Sequence, residues 1–354
     1  MHDYDVIIVG ASFAGLAVAN QLRDHHVLMI DHETIGSGQT SACGTMLQVL
    51  EYWDLAETVL QTQDSILLHT AQHTFEFPSP YSWCTFDYQL LCETLYERSG
   101  ADFLKAAVQG TDGDRVHTNH GEFRARCLVD ASGWRAVLAS SVLPGFAQAN
   151  PMNFGIETIH PLPNDVQVKQ TALHFWYDPA IFRSGVGWVF PRGETASVGV
   201  GSYKGATHLR RPLIGFAERF AIQPNGMHGT YFPHSLRNPT AGRVFVVGDA
   251  AGMCIGLTGE GIRPALFFGE ACGQTVRRVL EGELSLDVGL ARYATLVESW
   301  RIFFQVFSTA QKILTRLPPP WIDAVAQVVQ HVRVRQWVLD KYWELTRAWD
   351  KELA

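Results

Sequence analysis

Tyr4 to Val9 ends in four consecutive apolar residues, Val6-Ile7-Ile8-Val9, and stops on Gly10. A half-exposed strand alternates apolar and polar residues, so an uninterrupted β-branched run marks a strand covered on both faces, the condition of a parallel sheet. Leu16, Ala17, Ala19 and Leu22 follow at helical spacing, and Val27-Leu28-Met29-Ile30 is a second such run that ends on Asp31. Strand, helix and strand within about 30 residues make the βαβ unit of doubly wound folds. The signature returns at Val244-Phe245-Val246-Val247-Gly248, more than 200 residues later. One sheet must gather strands from distant parts of the chain, and its domain is discontinuous.

A length of 354 residues exceeds one ordinary domain and predicts two lobes. The 47% apolar and 18% charged composition excludes a disordered chain. Lys and Arg number 28 against 35 Asp and Glu, a net charge of -7, which argues against nucleic acid as a partner. The six cysteines lie far apart without a C-x-x-C pair, the pattern expected of reduced thiols in a cytoplasmic protein. No run approaches the roughly 20 apolar residues of a spanning helix. Val6 to Leu22 contains Gly10, Ser12, Gly15, Asn20 and Gln21 and follows acids instead of a basic lead, so it reads as neither signal peptide nor anchor.

Gly10-Ala-Ser12-Phe-Ala14-Gly15 has the spacing of the dinucleotide fingerprint, with Ser12 at the middle glycine. The first Gly makes the tight turn, the last lets helix and strand approach, and Ser12 can itself donate to phosphate. Asp31, at the end of the second strand, can accept from ribose hydroxyls and repels a 2′-phosphate. The third buried run opens into Asp249-Ala-Ala-Gly252, then Gly256-Leu-Thr-Gly259-Glu-Gly261-Ile262 and a helix through Ala265, Leu266 and Ala271. Strand, acid and glycine-rich turn in this order resemble the C-terminal FAD motif of the flavoprotein class that includes aromatic hydroxylases and geranylgeranyl reductases. That resemblance implies an acid on the ribityl or pyrophosphate region and a helix N-terminus stabilising negative charge on the flavin. A nicotinamide dehydrogenase has no use for the second motif, so FAD is the expected cofactor.

Gly185-Val186-Gly187-Trp188-Val189-Phe190-Pro191-Arg192-Gly193, with Ser197-Val198-Gly199-Val200-Gly201 behind it, is similar to the Y-x-W-x-F-P segment and next strand of the geranylgeranyl reductase family. Cys43-Gly44 stands where that family carries a Cys-Gly near the flavin. The resemblance covers roughly residues 4 to 290, with Val186 in place of the family's Tyr and Trp83 in place of an Arg ahead of Phe86-Asp87. The expected architecture is α/β: a Rossmann-like FAD-binding domain over 1–72, 84–150 and 239–297, an antiparallel β-sheet substrate domain over 73–83 and 151–238, and a C-terminal helical segment over 298–354. Besides Gly10, Ser12, Gly15 and Asp31, the implied cofactor contacts are Ala14, His32, Cys43, Gly44, Val108, Asp130, Gly133, Gly248, Asp249, Gly259, Gly261 and Ile262. Trp188, Phe190 and Pro191 would border the substrate pocket, and Cys43 and Trp188 are the candidates for catalysis.

The resemblance implies reduction of carbon-carbon double bonds in a bulky apolar, isoprenoid-derived substrate by hydride transfer from reduced flavin, the electrons coming from NAD(P)H or a reduced carrier protein. The rivals are a flavin monooxygenase or oxidase acting on an apolar or aromatic substrate, and a flavin-binding protein without turnover. His69 and His73 lie four apart in a β pattern that puts them on one face without a carboxylate pair, so no metal site is expected. Phe86 to Arg98 reads as a helix, Asp112-Gly113-Asp114 as a turn between strands, and Phe154 to Tyr231 as mostly β. Trp300, Phe303, Phe304 and Phe307 form a helical stripe before Pro318-Pro319-Pro320, in a tail whose residues 301–354 hold eight Lys or Arg and five Asp or Glu. Packing on the first domain and peripheral contact with an anionic membrane surface would both satisfy that stripe.

Overall fold

The computed structural model describes residues 3–148, 151–162, 168–179, 181–340 and 342. In chain order its first elements are β1 (Tyr4–Val9), α1 (Phe13–Asn20), β2 (Val27–Asp31), β3 (Gly44–Met46), α2 (Leu47–Tyr52), β4 (Val59–Thr70), β5 (Thr74–Phe86) and α3 (Tyr88–Ser99). There follow β6 (Asp102–Lys105), β7 (Val108–Asp112), β8 (Arg115–Thr118), β9 (Gly121–Asp130), α4 (Val137–Val142), β10 (Met152–Pro161), β11 (Ala172–Tyr177), β12 (Gly185–Arg192) and β13 (Thr195–Ser202). The last are α5 (Arg210–Ala217), β14 (His228–Pro233), β15 (Thr240–Ala241), β16 (Val244–Val246), α6 (Ile262–Leu280), α7 (Leu286–Ser299), α8 (Arg301–Leu314) and α9 (Pro319–Gln330). Two compact units share this chain: Met1–Gln39, Tyr88–Met152 and Phe232–Ala310 make the first, and Thr40–Asp87, Asn153–Tyr231 and Gln311–Ala354 the second.

In the first unit β1 is flanked by β2 and β9, both parallel to it, with β6 beyond β2 and β16 beyond β9. Val6, Ile7 and Ile8 have no exposed surface, which is why their run shows no alternation. β15 adds an antiparallel edge, and β7 and β8 form a hairpin on β9. The distant return of the sequence signature is explained here, because β16 joins the sheet beside β9. α6 crosses α1 through a glycine notch: a Cβ on Gly269 would stand 2.7 Å from the Ala14 carbonyl oxygen, and one on Gly273 2.7 Å from that of Val18.

The second unit is built on a sheet ordered β14-β10-β13-β12-β11-β4-β5-β3. Val189, Val198 and Val200 pack from one face onto Leu213, Phe216 and Phe220. The sheet is not antiparallel throughout, as the sequence reading expects, because β11 runs parallel to β4. That pairing also moves the domain boundary. Residues 40–72 go with the second unit, since β4 is bonded to β5 along most of its length and to β11 from Ser65 to Thr70. A β4 that far from β11 in sequence gives no local sign of its partner.

The expected C-terminal segment is no separate body. Residues 298–310 belong to the first unit and 311–354 to the second, while residues 341 and 343–354 lie outside the described residues. Trp300, Phe303 and Phe304 are buried, with Trp300 and Phe304 packed on Phe267 and Phe268 of α6, so packing satisfies most of the aromatic stripe. The helix expected from Phe86 starts at Tyr88, and Phe86 closes β5 instead. α5 lies inside the region read as β; Leu213, Phe216 and Ala217 within it, with Leu209 before and Phe220 after it, have helical spacing that was legible. No helix among the described residues is long and apolar enough to cross a membrane, and all six cysteines are buried thiols outside any disulfide.

Candidate flavin site and the sheet residues around Trp188

Two turns of the first unit carry the nucleotide motifs. At the first, Gly10 has φ 107°, and a Cβ there would stand 2.2 Å from the Ala131 carbonyl oxygen. A Cβ on Gly15 would fall 2.0 Å from the carbonyl oxygen of Gly10, so strand, turn and helix close only without those side chains. Asp31 sits at the end of β2, where its Oδ2 accepts from the Ala11 N–H at 2.8 Å and its Oδ1 from the Glu33 N–H at 3.0 Å. His32 is open to solvent, Nδ1 2.9 Å from Asp31 Oδ1. Ser12 occupies the N-cap of α1 without capping it, and its Oγ accepts from the Tyr88 hydroxyl at 3.1 Å. With no acid in its first turn, α1 leaves its leading N–H groups for an anion.

The second turn follows β16. Gly248 has φ 65°, and a Cβ there would stand 2.8 Å from Cβ of Ala14, which brings this turn against the start of α1. Asp249 comes next. Its carboxylate has no hydrogen-bond partner among the described residues, and desolvation pushes its pKa up to about 6 against the pull of Arg237. A Cβ on Gly261 would lie 3.9 Å from Asp249 Oδ1, so the acid stands at the entrance of α6. That helix starts at Gly261 with neither side-chain cap nor acid in its first turn, and Ile262 is its buried first residue. Gly259 has φ 68°, a conformation that admits glycine freely.

Arg237 braces this region from below, donating to the carbonyl oxygens of Trp134 at 2.8 Å, Ala250 at 3.1 Å and Ala147 at 3.2 Å. Arg263 pairs with Glu260 at 2.5 Å, both buried, where α6 begins. Neither Arg237 nor this pair was singled out from sequence, since their partners are carbonyls and a neighbour inside one turn.

The other implied contacts are less uniform. Asp130 is fully buried and committed to the chain: Oδ1 accepts from the Ser132 hydroxyl at 2.6 Å and Oδ2 from the Ala139 N–H at 2.8 Å. Those bonds hold the turn before α4. Gly133 supplies the positive φ of that turn, 73°. Val108 opens β7 opposite Thr118.

Together these features fit a flavin dinucleotide. Two uncapped, acid-free helix starts, glycines where a Cβ would collide, and an unpaired desolvated carboxylate all belong to one unit.

The second unit gathers the remaining candidates. Cys43 is buried in a left-handed conformation, φ 54°, its thiol donating to the Ser41 carbonyl at 3.3 Å. Such backbone in a non-glycine residue is sparsely populated and costs about 1–3 kcal/mol. A Cβ on the adjacent Gly44 would stand 3.0 Å from the Phe190 ring, so the Cys-Gly step and β12 meet. The Pro191 carbonyl accepts from Thr85 Oγ1 at 2.7 Å and Gln63 Nε2 at 3.0 Å.

Trp188 lies over Gly199, where a Cβ would fall 2.1 Å from the indole. Its Nε1–H donates to Glu157 Oε2 at 3.0 Å and stands 3.3 Å from Ser197 Oγ. Glu157 is buried and also receives the Ser197 hydroxyl and His228 Nε2, the latter at 2.9 Å. Bonding to Glu157 raises the His228 pKa, and the Gly226 backbone adds to it. Glu157 and His228 were missed; only the register, which sets Glu157 and Trp188 both opposite Gly199, brings them together.

His69 and His73 do not share a face. His69 Nε2 meets His174 Nδ1 at 3.0 Å, and burial lowers its pKa to about 4, whereas His73 sits in the turn after β4 and pairs with Asp323. No cluster of metal ligands occurs among the described residues.

No protein-family model matches the chain. It is 28% identical over 197 residues to geranylgeranyl diphosphate reductase of Rhodobacter capsulatus, an alignment covering 54% of this chain and 49% of that protein. The chain thus spans about half the length of that relative. With digeranylgeranylglycerophospholipid reductase 2 of Methanopyrus kandleri the identity is 24%, over 92% of this chain and 90% of the relative. The protein of that name from Methanosphaera stadtmanae is 29% identical over 92% and 91%. A geranylgeranyl bacteriochlorophyll reductase-like structure from Thermoplasma acidophilum superposes with a TM-score of 0.82 at 20% identity, covering 93% of this chain and 91% of that one. A probable FAD-dependent monooxygenase from Pseudomonas aeruginosa gives 0.69 at 16%, over 96% and 99%. At such identities the superpositions establish the fold alone. The family resemblance read from the motifs is borne out: the chain is a homologue of the geranylgeranyl and digeranylgeranylglycerophospholipid reductases, with the fold of FAD-dependent oxidoreductases.

Proposed function

We propose that the protein is an FAD-dependent reductase of carbon-carbon double bonds in a bulky apolar, isoprenoid-derived substrate. Asp249 carries the cofactor assignment, because a partly exposed carboxylate, raised by desolvation and without a hydrogen-bond partner among the described residues, stands at the entrance of an uncapped helix, where a ligand hydroxyl can donate to it. The substrate class follows the names of the relatives, each a reductase of geranylgeranyl compounds. In this reading the first unit is a Rossmann-like FAD-binding domain and the second carries the substrate-facing residues.

Bound and reduced, FAD supplies the hydride that an alkene carbon accepts. The chain's part is to bind, orient and exclude water. The N–H groups at the start of α1 take the pyrophosphate, Asp31 accepts from ribose hydroxyls, Asp249 accepts from the ribityl chain, and the first turn of α6 stabilises negative charge on the ring. An alkene without an activating carbonyl is a poor hydride acceptor, which makes a dry apolar surface and a placed proton necessary. Trp188, Phe190 and Gly44 offer that surface, and the Cys43 thiol is the proton source of this proposal. Electrons reach the cofactor from NAD(P)H or a reduced carrier protein.

The test starts with denaturing the purified protein, which should release free FAD. The holoprotein, reduced anaerobically with dithionite and given a geranylgeranylated lipid, should then return a product that has gained one H2 per double bond. A colourless protein that FAD does not reconstitute would refute the cofactor reading. A product that gains oxygen, and forms only in air, would move the protein to the monooxygenase alternative.

A further inference from the structure

α9 and the helical stretch 332–340 behind it leave large apolar side chains in water while a carboxylate is buried. The side turned into the second unit includes a carboxylate: Asp323 is buried between Ile322 and Ala326, its Oδ2 3.2 Å from His73 Nδ1. Asp340 is similarly engaged, its Oδ1 accepting from the Tyr81 hydroxyl at 3.2 Å. The outward side is apolar. Within α9, Trp321, Val325 and Val328 stand at i, i+4 and i+7 with 63%, 49% and 61% of their surface exposed, and past the break at His331, where the backbone is extended, Val332 and Trp337 are exposed to 59% and 62%. A helix resting on a protein core in water turns its apolar stripe inward.

Charge accompanies the exposed apolar face. Between Arg316 and Trp337 the only carboxylate is the buried Asp323, whereas Arg316 and Arg333 are exposed and Arg335 is partly so. Cations thus border an apolar face on a chain of net charge -7. No helix among the described residues can cross a membrane, so a lipid contact here would lie in the interface plane.

We propose that the outward face of α9 and residues 332–337 docks on the surface of an anionic phospholipid bilayer. Trp321 and Trp337 suit the headgroup level, the valines suit the acyl boundary, and the arginines meet lipid phosphate. A second copy of this chain fits less well, since an isologous contact would bring the arginines of two identical faces together without a carboxylate between Arg316 and Trp337 other than the buried Asp323 to meet them. The surface is also not the one the aromatic stripe suggests, because most of that stripe is buried on α6. The inference does not depend on the reductase reading.

Co-sedimentation of the holoprotein with phosphatidylcholine vesicles, with and without phosphatidylglycerol, tests it. Binding should be at least tenfold stronger to the anionic vesicles, as each basic residue near the surface contributes roughly fivefold in partitioning. Trp321→Ser combined with Val328→Ser should lower binding to both vesicles tenfold or more, and Arg316→Glu with Arg333→Glu should abolish the anionic preference. Unchanged thermal unfolding by circular dichroism shows that both variants remain folded. Three results would overturn the proposal: a parent that stays in the supernatant with both vesicles, a parent dimer that Val328→Ser disperses, or binding that appears only once residues 343–354 are deleted.

Discussion

Replacing Asp249 should separate two properties of the protein in opposite directions. Its carboxyl is raised from 3.8 to about 6 by desolvation, about 2 units, which corresponds to about 3 kcal/mol of strain when the group is ionised. A raised pKa means that the folded state holds more protons than the unfolded one between pH 3.8 and 6. Stability of the FAD-free protein should therefore fall as pH rises through that window and level off above it. Asp249→Asn has no such fall, and at pH 7.5 its FAD-free form should be more stable than the parent by an amount on the order of 3 kcal/mol. The same change weakens the cofactor, because a neutral acceptor replaces a charged one. About tenfold in FAD affinity is expected for Asn, and roughly one to two decades for Asp249→Ala, which leaves no acceptor. Urea unfolding of the stripped protein from pH 4 to 8, with FAD titration by flavin fluorescence, measures both. If Asp249→Asn kept the parent's stability loss between pH 4 and 6, or if neither variant released FAD more readily, the placement of this carboxylate against the cofactor would be wrong.

Gly248→Ala puts a Cβ 2.8 Å from that of Ala14 at a φ of 65°, so the variant should lose about 1–2 kcal/mol to backbone strain alone and shed FAD on desalting; a variant as yellow and as stable as the parent contradicts this. Trp188→Phe removes the indole N–H from Glu157 while keeping an aromatic face, and should slow turnover of the apolar substrate with flavin absorbance intact; equal turnover would return Trp188 to a structural role. Glu157→Ala leaves His228 without its carboxylate and should cost about 3 kcal/mol in urea unfolding at pH 6. Because the His228 pKa is raised in the folded protein, the parent holds this stability in full below pH 6.5 and loses it as pH climbs through the folded value. Glu157→Ala should show a flatter pH profile, and a profile parallel to the parent's would argue against a charged His228.

The amino-acid order by itself determined the elements whose burial is complete or whose backbone admits one residue type. Val6 to Val9 and Val244 to Val246 are readable because a strand covered on both faces needs no polar position. Gly10 and Gly15 are readable because any Cβ there would strike a carbonyl. Asp249 could be placed ahead of α6 for a related reason, since strand, acid and glycine turn are contiguous. What only tertiary structure decided involves partners distant in sequence. β4 reads equally well as a strand of either unit until its pairing with β11, about 100 residues on, assigns it. Glu157 and His228 reach Trp188 only through the register of neighbouring strands, and Asp130 proves to be bound to its own turn once Ser132 and Ala139 are in place. The helical tail is the sharpest case. Periodicity shows that α8 and α9 each carry an apolar stripe, but which stripe is buried depends on the surface each helix meets. Phe267 and Phe268 receive Trp300 and Phe304, whereas His73 and Tyr81 draw Asp323 and Asp340 inward and leave the valines of α9 facing out.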